Sequence, residues 1–428
     1  MRDVYIVDGA RTPFLKAKGK PGAFSASDLA IQAGRELLER QSFSPKDLNE
    51  VILGCMVPSP DEANIARVVA LRLGCGKSVP AWTVQRNCAS GMQALDSAMK
   101  DIATGRHDLV LAGGTEAMSR SPLLYSDGMV NWMASLAGAK GWKAKLKEYT
   151  KFRPAYLKPV IALLRGLSDP IINLSMGQTA ENIAYRFNIT REQMDQFACE
   201  SHQRVLLGQD EKHFREVLPA FATTGDFFVS DDGVRRDSTM EKLATLKPFF
   251  DKKFGSVTPG NSSQVSDGAV LLLLASKEAV QKYRLPVLAR ISAVEWAGVE
   301  PAEMGLGPVY STNNLLQRHQ LQLNDIDYWE INEAFAAQVL GCLAAFESDE
   351  YCQKNLNLPS ALGKIDRARL NVDGGAIALG HPVGASGARI VLHLAEVLRR
   401  NDAKKGIATI CIGGGQGGSM LIENVSEV

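Results

Sequence analysis

Short apolar runs that end in glycine punctuate the chain: Val51-Ile-Leu-Gly54, Leu109-Val-Leu-Ala-Gly-Gly114 and Ile407-Ala-Thr-Ile-Cys-Ile-Gly413. Runs without polar alternation predict strands buried on both faces. Helix-period patterns lie between them, over 27–41, 90–104, 332–347 and 386–400. This alternation of strand and helix predicts an α/β fold.

The pattern also repeats. Cys88-Ala-Ser-Gly-Met-Gln-Ala-Leu opens one helix, and Gly384-Ala-Ser-Gly-Ala-Arg-Ile-Val opens another. Each helix leads to a glycine-ended strand, LVLAGG at 109–114 and TICIGG at 409–414. Upstream, Asp47-Leu-Asn-Glu-Val-Ile-Leu echoes Asp325-Ile-Asp-Tyr-Trp-Glu-Ile. Three elements agreeing in order predict two similar halves, 1–121 and 284–428. Between them, 122–264 carries turn clusters and helical stretches near 177–187 and 190–213, and reads as an inserted loop domain. Residues 265–283 read as a strand and helix that complete the first half.

A length of 428 residues suits two or three domains at roughly 150 residues each. Lys+Arg 48 against Asp+Glu 47 gives a net charge of +1, which carries no global signal for nucleic acid. No apolar run reaches the length of a membrane span, and the N-terminus lacks a leader pattern, so a cytoplasmic location is expected. Seven scattered cysteines without a CxxC pair predict neither a disulfide framework nor a zinc site.

Four polar or thiol side chains stand in contexts that can carry chemistry. Cys88 follows the apolar stretch 80–84 and precedes a helix. A thiol at a helix N-terminus is biased toward thiolate and can act as a nucleophile; the other reading is a buried structural cysteine. His381 sits in a glycine-rich loop before a proline and suits a base or an oxyanion donor, or an incidental place in a turn. Cys411 lies at the end of a buried strand and can face a cleft as a proton shuttle, or belong to the core. Asn332 and Glu333 begin the helical pattern at 332–347; Asn332 reads as an N-cap or as the holder of a water at an oxyanion.

Over essentially its whole length the chain resembles the thiolase family. The resemblance rests on Ala10-Arg-Thr-Pro-Phe14, NCASG at 87–91, GGTEAMS at 113–119, MGQTAEN at 176–182, GNSSQVSDGA at 260–269, MGLGPV at 304–309, NEAFA at 332–336, GGAIALGHPVGASG at 374–387 and CIGGGQG at 411–417. It implies a duplicated five-layer α/β/α/β/α fold with an inserted loop domain. It implies reversible Claisen chemistry on coenzyme A thioesters, with no metal and no tightly bound cofactor. Cys88 matches the acyl-carrying nucleophile and His381 the base that also lines an oxyanion hole. Asn332 matches the holder of that hole's water, and Cys411 the acid/base at the acetyl methyl carbon. The N–H groups of Cys88 and Gly413 match a second oxyanion hole.

For coenzyme A, the resemblance implies that Ser263 touches the pantetheine, that Met176, Met304, Ala334 and Phe335 wall its tunnel, and that Arg235 and Phe250 lie near the nucleotide. It further implies a homodimer or homotetramer, with the strand near 109–114 pairing across a two-fold. Three departures stand out. Ser175 replaces the His of acetoacetyl-CoA thiolases, NCASG replaces VCGSG, and segment 129–168 is long, with eight Lys/Arg and one acidic residue. A similar insertion marks the thiolase subunit of the trifunctional fatty-acid oxidation complex, which has His where Asn332 stands. The expectation is a 3-ketoacyl-CoA thiolase for medium or long chains, with 129–168 as a surface for a membrane or a partner subunit. The alternatives are a short-chain acetoacetyl-CoA acetyltransferase, a ketoacyl synthase, or an inactive lipid-binding protein on the same fold.

Overall fold

A computed structural model describes residues 2–425. Nine principal strands form one sheet path: β1 (Val4–Arg11), β2 (Glu50–Gly54), β3 (Ala81–Val84), β4 (Leu109–Ala117), β5 (Ser266–Ala275), β6 (Ala289–Gly298), β7 (Tyr328–Ile331), β8 (Lys405–Ile412) and β9 (Gln416–Glu423). Their spatial order is β7-β8-β9-β6-β1-β5-β4-β2-β3. The path divides into β3-β2-β4-β5-β1 and β7-β8-β9-β6, joined only where Val4, Tyr5 and Ile6 pair with Ile291, Arg290 and Ala289. In the second set a parallel bridge between Trp329 and Leu370 stands beside β7 where β3 stands beside β2. The echo in the sequence is therefore an echo in topology.

Strand periodicity divides the side chains among the layers. Leu271 and Leu273 of β5 enter one apolar cluster with Leu29 and Leu37 of α1 (Ala26–Glu39) and Ile65 of α2 (Ile65–Arg72). Leu272 and Leu274 face the opposite way. They join Met92 and Leu95 of α3 (Ser90–Ala103), Ile410 and Ile412 of β8, and the helix Val383–Arg400. A third cluster packs Ile407 and Leu421 against the helices Gly307–Arg318 and Ala336–Glu347. Three apolar seams separate five layers, helix, sheet, helix, sheet, helix, which is the expected architecture.

The central helix layer requires glycine. A Cβ on Gly91 would lie 2.9 Å from the Gly384 carbonyl oxygen, and one on Gly387 would lie 2.8 Å from the Met92 nitrogen. The shared Ala-Ser-Gly is thus the contact face between α3 and Val383–Arg400, where backbone meets backbone.

Two expectations need correction. The helix near 332 begins at Ala336, with Phe335 at its N-cap position. Asn332 and Glu333 lie in the turn after β7, because Phe335 is still extended and bridges to Ser262. Strand β4 cannot pair across a two-fold, since β5 and β2 occupy both its edges. The open edge of this half belongs to β3.

A buried ionic chain ties β1, the loop domain and Val383–Arg400 together. Arg11 grips Asp231 through two bonds of 2.6 and 2.9 Å and lies 3.4 Å from Glu216. His393 contacts Glu216 and Asp373 at 3.0 Å each. Burial alone would keep His393 neutral, but Glu216 and Asp373 raise its pKa to about 10. Burial would likewise raise Glu216, yet His393 and Arg11 bring it down to about 2. Because the folded pKa of His393 exceeds its ordinary 6.5, its contribution is complete below that value and lost as pH rises through about 10. His393→Gln should lower unfolding free energy at pH 7 by about 3–5 kcal/mol in urea titrations, and should flatten the wild-type decline between pH 7 and 10. An unchanged midpoint and slope would contradict this.

Candidate active site

A cavity of about 520 Å³ opens beside the central layer. Cys88, His381 and Cys411 all line it, together with Met176, Phe250, Ser263, Met304, Ala334 and Phe335. Cys88 and His381, nearly three hundred positions apart, thus converge because α3 and Val383–Arg400 begin side by side.

Cys88 sits two residues before α3, after Asn87, which takes a left-handed φ of +43°. The Asn87 amide donates to the Gly413 carbonyl at 2.7 Å, so the Cys88 turn is pinned to the loop after β8. The backbone N–H groups of Gly413 and Cys88 both favour negative charge on the Cys88 sulfur. They do not prevail. Cys88 keeps some surface open to the cavity, but the protein around it desolvates the thiol and pushes its pKa up to about 11. The expected bias toward thiolate is therefore corrected: in the unliganded site burial outweighs the helix terminus.

His381 is buried and its pKa falls to about 4, first through desolvation and then through Arg389. It is a neutral imidazole at neutral pH. Its Nδ1 lies 2.6 Å from the Ser386 hydroxyl, which itself donates to the Pro382 carbonyl at 3.0 Å. With the hydroxyl proton committed to Pro382, Nδ1 carries the ring proton and Nε2 holds the lone pair. Nε2 has no partner, so the ring is held as a base. Cys411 ends β8 with its thiol shifted well above the usual range by burial and by Cys88. Asn332 is fully buried, and both its amide oxygen and nitrogen lack partners.

Ser175 caps the helix Met176–Arg186 with a reciprocal Ser–Gln capping pair and also lines the cavity. Arg235 is exposed, outside the cavity lining, with its backbone N–H on His202.

Three polar groups hold the site together: Glu116 and Asn371, which sequence reasoning did not single out, and Glu333, which it named only as a helix start. Glu116, in GGTEAMS, accepts from the backbone N–H groups of Met56, Val57 and Gly384 at 2.8, 3.0 and 3.0 Å. Glu333, in NEAFA, accepts from Asn371 at 2.9 Å, Ser201 at 2.6 Å and the Ile377 N–H at 3.2 Å. It couples the Asn332 turn to the loop that carries His381. Asn371 also bonds the Ile331 N–H and carbonyl at 2.9 Å each. A charged residue inside an otherwise small and apolar motif was the available signal for both glutamates. Leu164 and Leu167, which line the cavity from the end of the insertion, had none.

Residues 4–278 match the family model for the thiolase N-terminal domain, and residues 285–424 match that for the thiolase C-terminal domain. Mitochondrial 3-ketoacyl-CoA thiolase of Rattus norvegicus is 39% identical over 432 residues, covering 100% of this chain and 99% of the relative. A probable acetyl-CoA acetyltransferase of Escherichia coli K12 is 38% identical, with 99% of each covered. The mitochondrial trifunctional enzyme subunit beta of Bos taurus is 35% identical, with 99% of this chain and 88% of the relative covered. The crystal structure of human mitochondrial 3-ketoacyl-CoA thiolase in complex with CoA superposes with a TM-score of 0.84 at 35% identity, covering 99% of this chain and 98% of that one. The two family models together span nearly the whole chain, and the chain belongs to the thiolase family.

Proposed function

We propose that this thiolase cleaves 3-ketoacyl-CoA with free coenzyme A, giving acetyl-CoA and an acyl-CoA shortened by two carbons, through an acyl group on Cys88. The observation that carries the reading is the convergence of Cys88, Cys411 and a neutral His381 on one cavity. The Cys88 sulfur attacks the keto carbon while its proton passes to His381 Nε2. A thiol near pKa 11 beside a neutral imidazole makes this transfer part of the attack rather than a resting ion pair. The N–H groups of Cys88 and Gly413 hold the alkoxide. The C2–C3 bond breaks, and the enolate oxygen is held by the protonated His381 and by a water on Asn332. Cys411 gives its proton to C2, releasing acetyl-CoA, and is reprotonated from His381. Coenzyme A thiol then attacks the acyl-cysteine, its proton returning through His381 to Cys88. The pantetheine runs past Ser263 between Met176, Met304, Ala334 and Phe335, toward Phe250. Arg235, exposed beyond the cavity, is available only to the nucleotide end. The thioester is a substrate, and the reaction calls for no resident cofactor.

Medium and long acyl chains suit the cavity because Leu164 and Leu167 extend its apolar wall. The same insertion leaves Trp142, Leu146 and Leu157 at 71, 56 and 62% exposure, amid eight basic residues and one acidic. This supports an anionic lipid surface as its partner, at roughly 1 kcal/mol per basic residue near the surface. No helix among the described residues is long and apolar enough to cross a membrane; the contact we propose is peripheral, on a cytosolic enzyme. A homodimer, or a tetramer built from two, is proposed through β3, whose outer edge is open and whose Trp82 is 37% exposed. Antiparallel pairing there would bury a strand edge four residues from Cys88.

Acetyl-CoA should leave an acetyl group on Cys88 by intact and peptide mass. Cys88→Ala should abolish labelling and turnover, whereas Cys411→Ser should keep labelling and lose about 10²-fold or more in methyl-proton exchange. Acetyl found on Cys411 would overturn the assignment. Leu167→Trp should cut kcat/KM for 3-ketohexadecanoyl-CoA at least about tenfold, since several buried methylenes at about 0.8 kcal/mol each are displaced, and leave acetoacetyl-CoA within about threefold. In low salt the enzyme should float with anionic liposomes and not with neutral ones; activity confined to acetoacetyl-CoA without lipid binding would remove this reading. Light scattering at micromolar concentration should give at least twice 46.3 kDa, and a fully active monomer would contradict the β3 pairing.

A further inference from the structure

At the end of the first half remote from the cavity, Glu50, Asp101 and His107 bring one oxygen or nitrogen each within 4.8 Å of one another. Glu50 opens β2, Asp101 is in the last turn of α3, and His107 is in the loop between α3 and β4. The Glu50 residue is 5% exposed, and its Oε2 has no hydrogen-bond partner. The His107 Nε2 is also buried without a partner, 3.7 Å from that oxygen. Two orphaned atoms therefore face each other, with the Asp101 carboxylate beside them. Arg106 approaches Asp101 at 3.5 Å, but its side chain is 68% exposed and free to swing away. Burial raises the Glu50 pKa, and a hydrogen bond from the Trp82 indole and the nearby His107 oppose that rise.

We infer that Glu50, Asp101 and His107 form a binding site for a divalent transition ion of the zinc class. Bonds of about 2.0–2.2 Å to nitrogen and oxygen place tetrahedral ligands roughly 3.3–3.5 Å apart, so the 3.7 Å pair needs only a small contraction. One imidazole with two carboxylates is a donor set that zinc and cobalt accept and that leaves a fourth position to water. The ion satisfies both orphaned atoms at once and clips the end of α3 to β2. The sequence expectation of no metal follows from cysteine spacing and from the reaction, and neither consideration reaches this cluster, which uses no cysteine. The site is structural: α3 spans 14 residues from beside Cys88 to its far end, about 20 Å at 1.5 Å per residue.

The test uses the full chain with its reactive thiols alkylated, so that Cys88 and Cys411 cannot compete, and Co²⁺ alone as the probe, followed by displacement with Zn²⁺. One Co²⁺ per chain is expected above pH 7, with the visible bands of nitrogen and oxygen ligation and no thiolate charge-transfer band. His107→Gln and Glu50→Gln should each weaken binding at least about tenfold and abolish the rise in melting temperature that Zn²⁺ gives the parent. His107→Gln alters a loop residue and serves if Glu50→Gln fails to fold. Unalkylated enzyme should keep its turnover in the presence of a chelator. No uptake, uptake that both substitutions leave unchanged, or a thiolate band would each overturn the site and leave the cluster an ion pair only.

Discussion

The two central helices approach until main chain touches main chain, and the rest of the molecule depends on that contact. A Cβ on Gly91 would fall 2.9 Å from the Gly384 carbonyl oxygen, and one on Gly114 of the neighbouring β4 only 1.9 Å from it, deep inside van der Waals contact. Only because Gly91, Gly114, Gly384 and Gly387 lack side chains can α3 and Val383–Arg400 start side by side. Their N-termini carry the two loops that hold Cys88 and His381. A wider helix pair would separate Cys88 from His381, however well each loop were folded. The glycines of the two Ala-Ser-Gly segments are therefore a requirement of packing first and of chemistry through packing.

Buried carboxylates then fix what close packing brings together. Glu116 spans from the Cys55 loop to the start of Val383–Arg400, and Glu333 from the Asn332 turn to the His381 loop. Desolvation raises the pKa of each, and donated hydrogen bonds oppose that rise. An unbonded carboxylate at either place would be costly, so each anion holds its donors in position. The chain from Arg11 through Glu216 and His393 to Asp373 does the same on a larger scale, binding the loop domain to both halves. Rigid anchoring of this kind is what preset oxyanion donors need, since they must not reorganise as charge develops.

The insertion stands apart from this order. Its helices Asp127–Gly138 and Trp142–Tyr149 bury no residue fully, while Leu164 and Leu167 reach back into the cavity. An aromatic cluster of Trp132, Tyr149, Phe152 and Tyr156 gives it a small core of its own. One segment thus bears an apolar, basic exterior and, through Leu164 and Leu167, part of the cavity's apolar wall.

Much of this was legible in residues alone. Unbroken apolar runs ending in glycine marked the strands, because a strand buried on both faces has no polar side to show. The repeated Ala-Ser-Gly marked the duplication, because both helices meet the same steric demand. The glycine-rich loop of His381 fits a site better than a core; Cys88 and Cys411 read by themselves as core thiols just as readily, and the resemblance singled them out. The sequence by itself thus determined the α/β alternation and the duplication through local pattern, and the family through the motifs that carry the resemblance; it marked the reactive groups as candidates. Tertiary structure alone decided the rest. That burial would outweigh the helix terminus at Cys88 depends on how closely the folded chain surrounds the thiol. That Asn332 would precede its helix depends on the bridge from Phe335 to Ser262. That β3, and not β4, would present the open edge depends on β5 arriving from beyond the loop domain. Each of these turns on what stands on the far side of a residue, and linear spacing does not encode that neighbour.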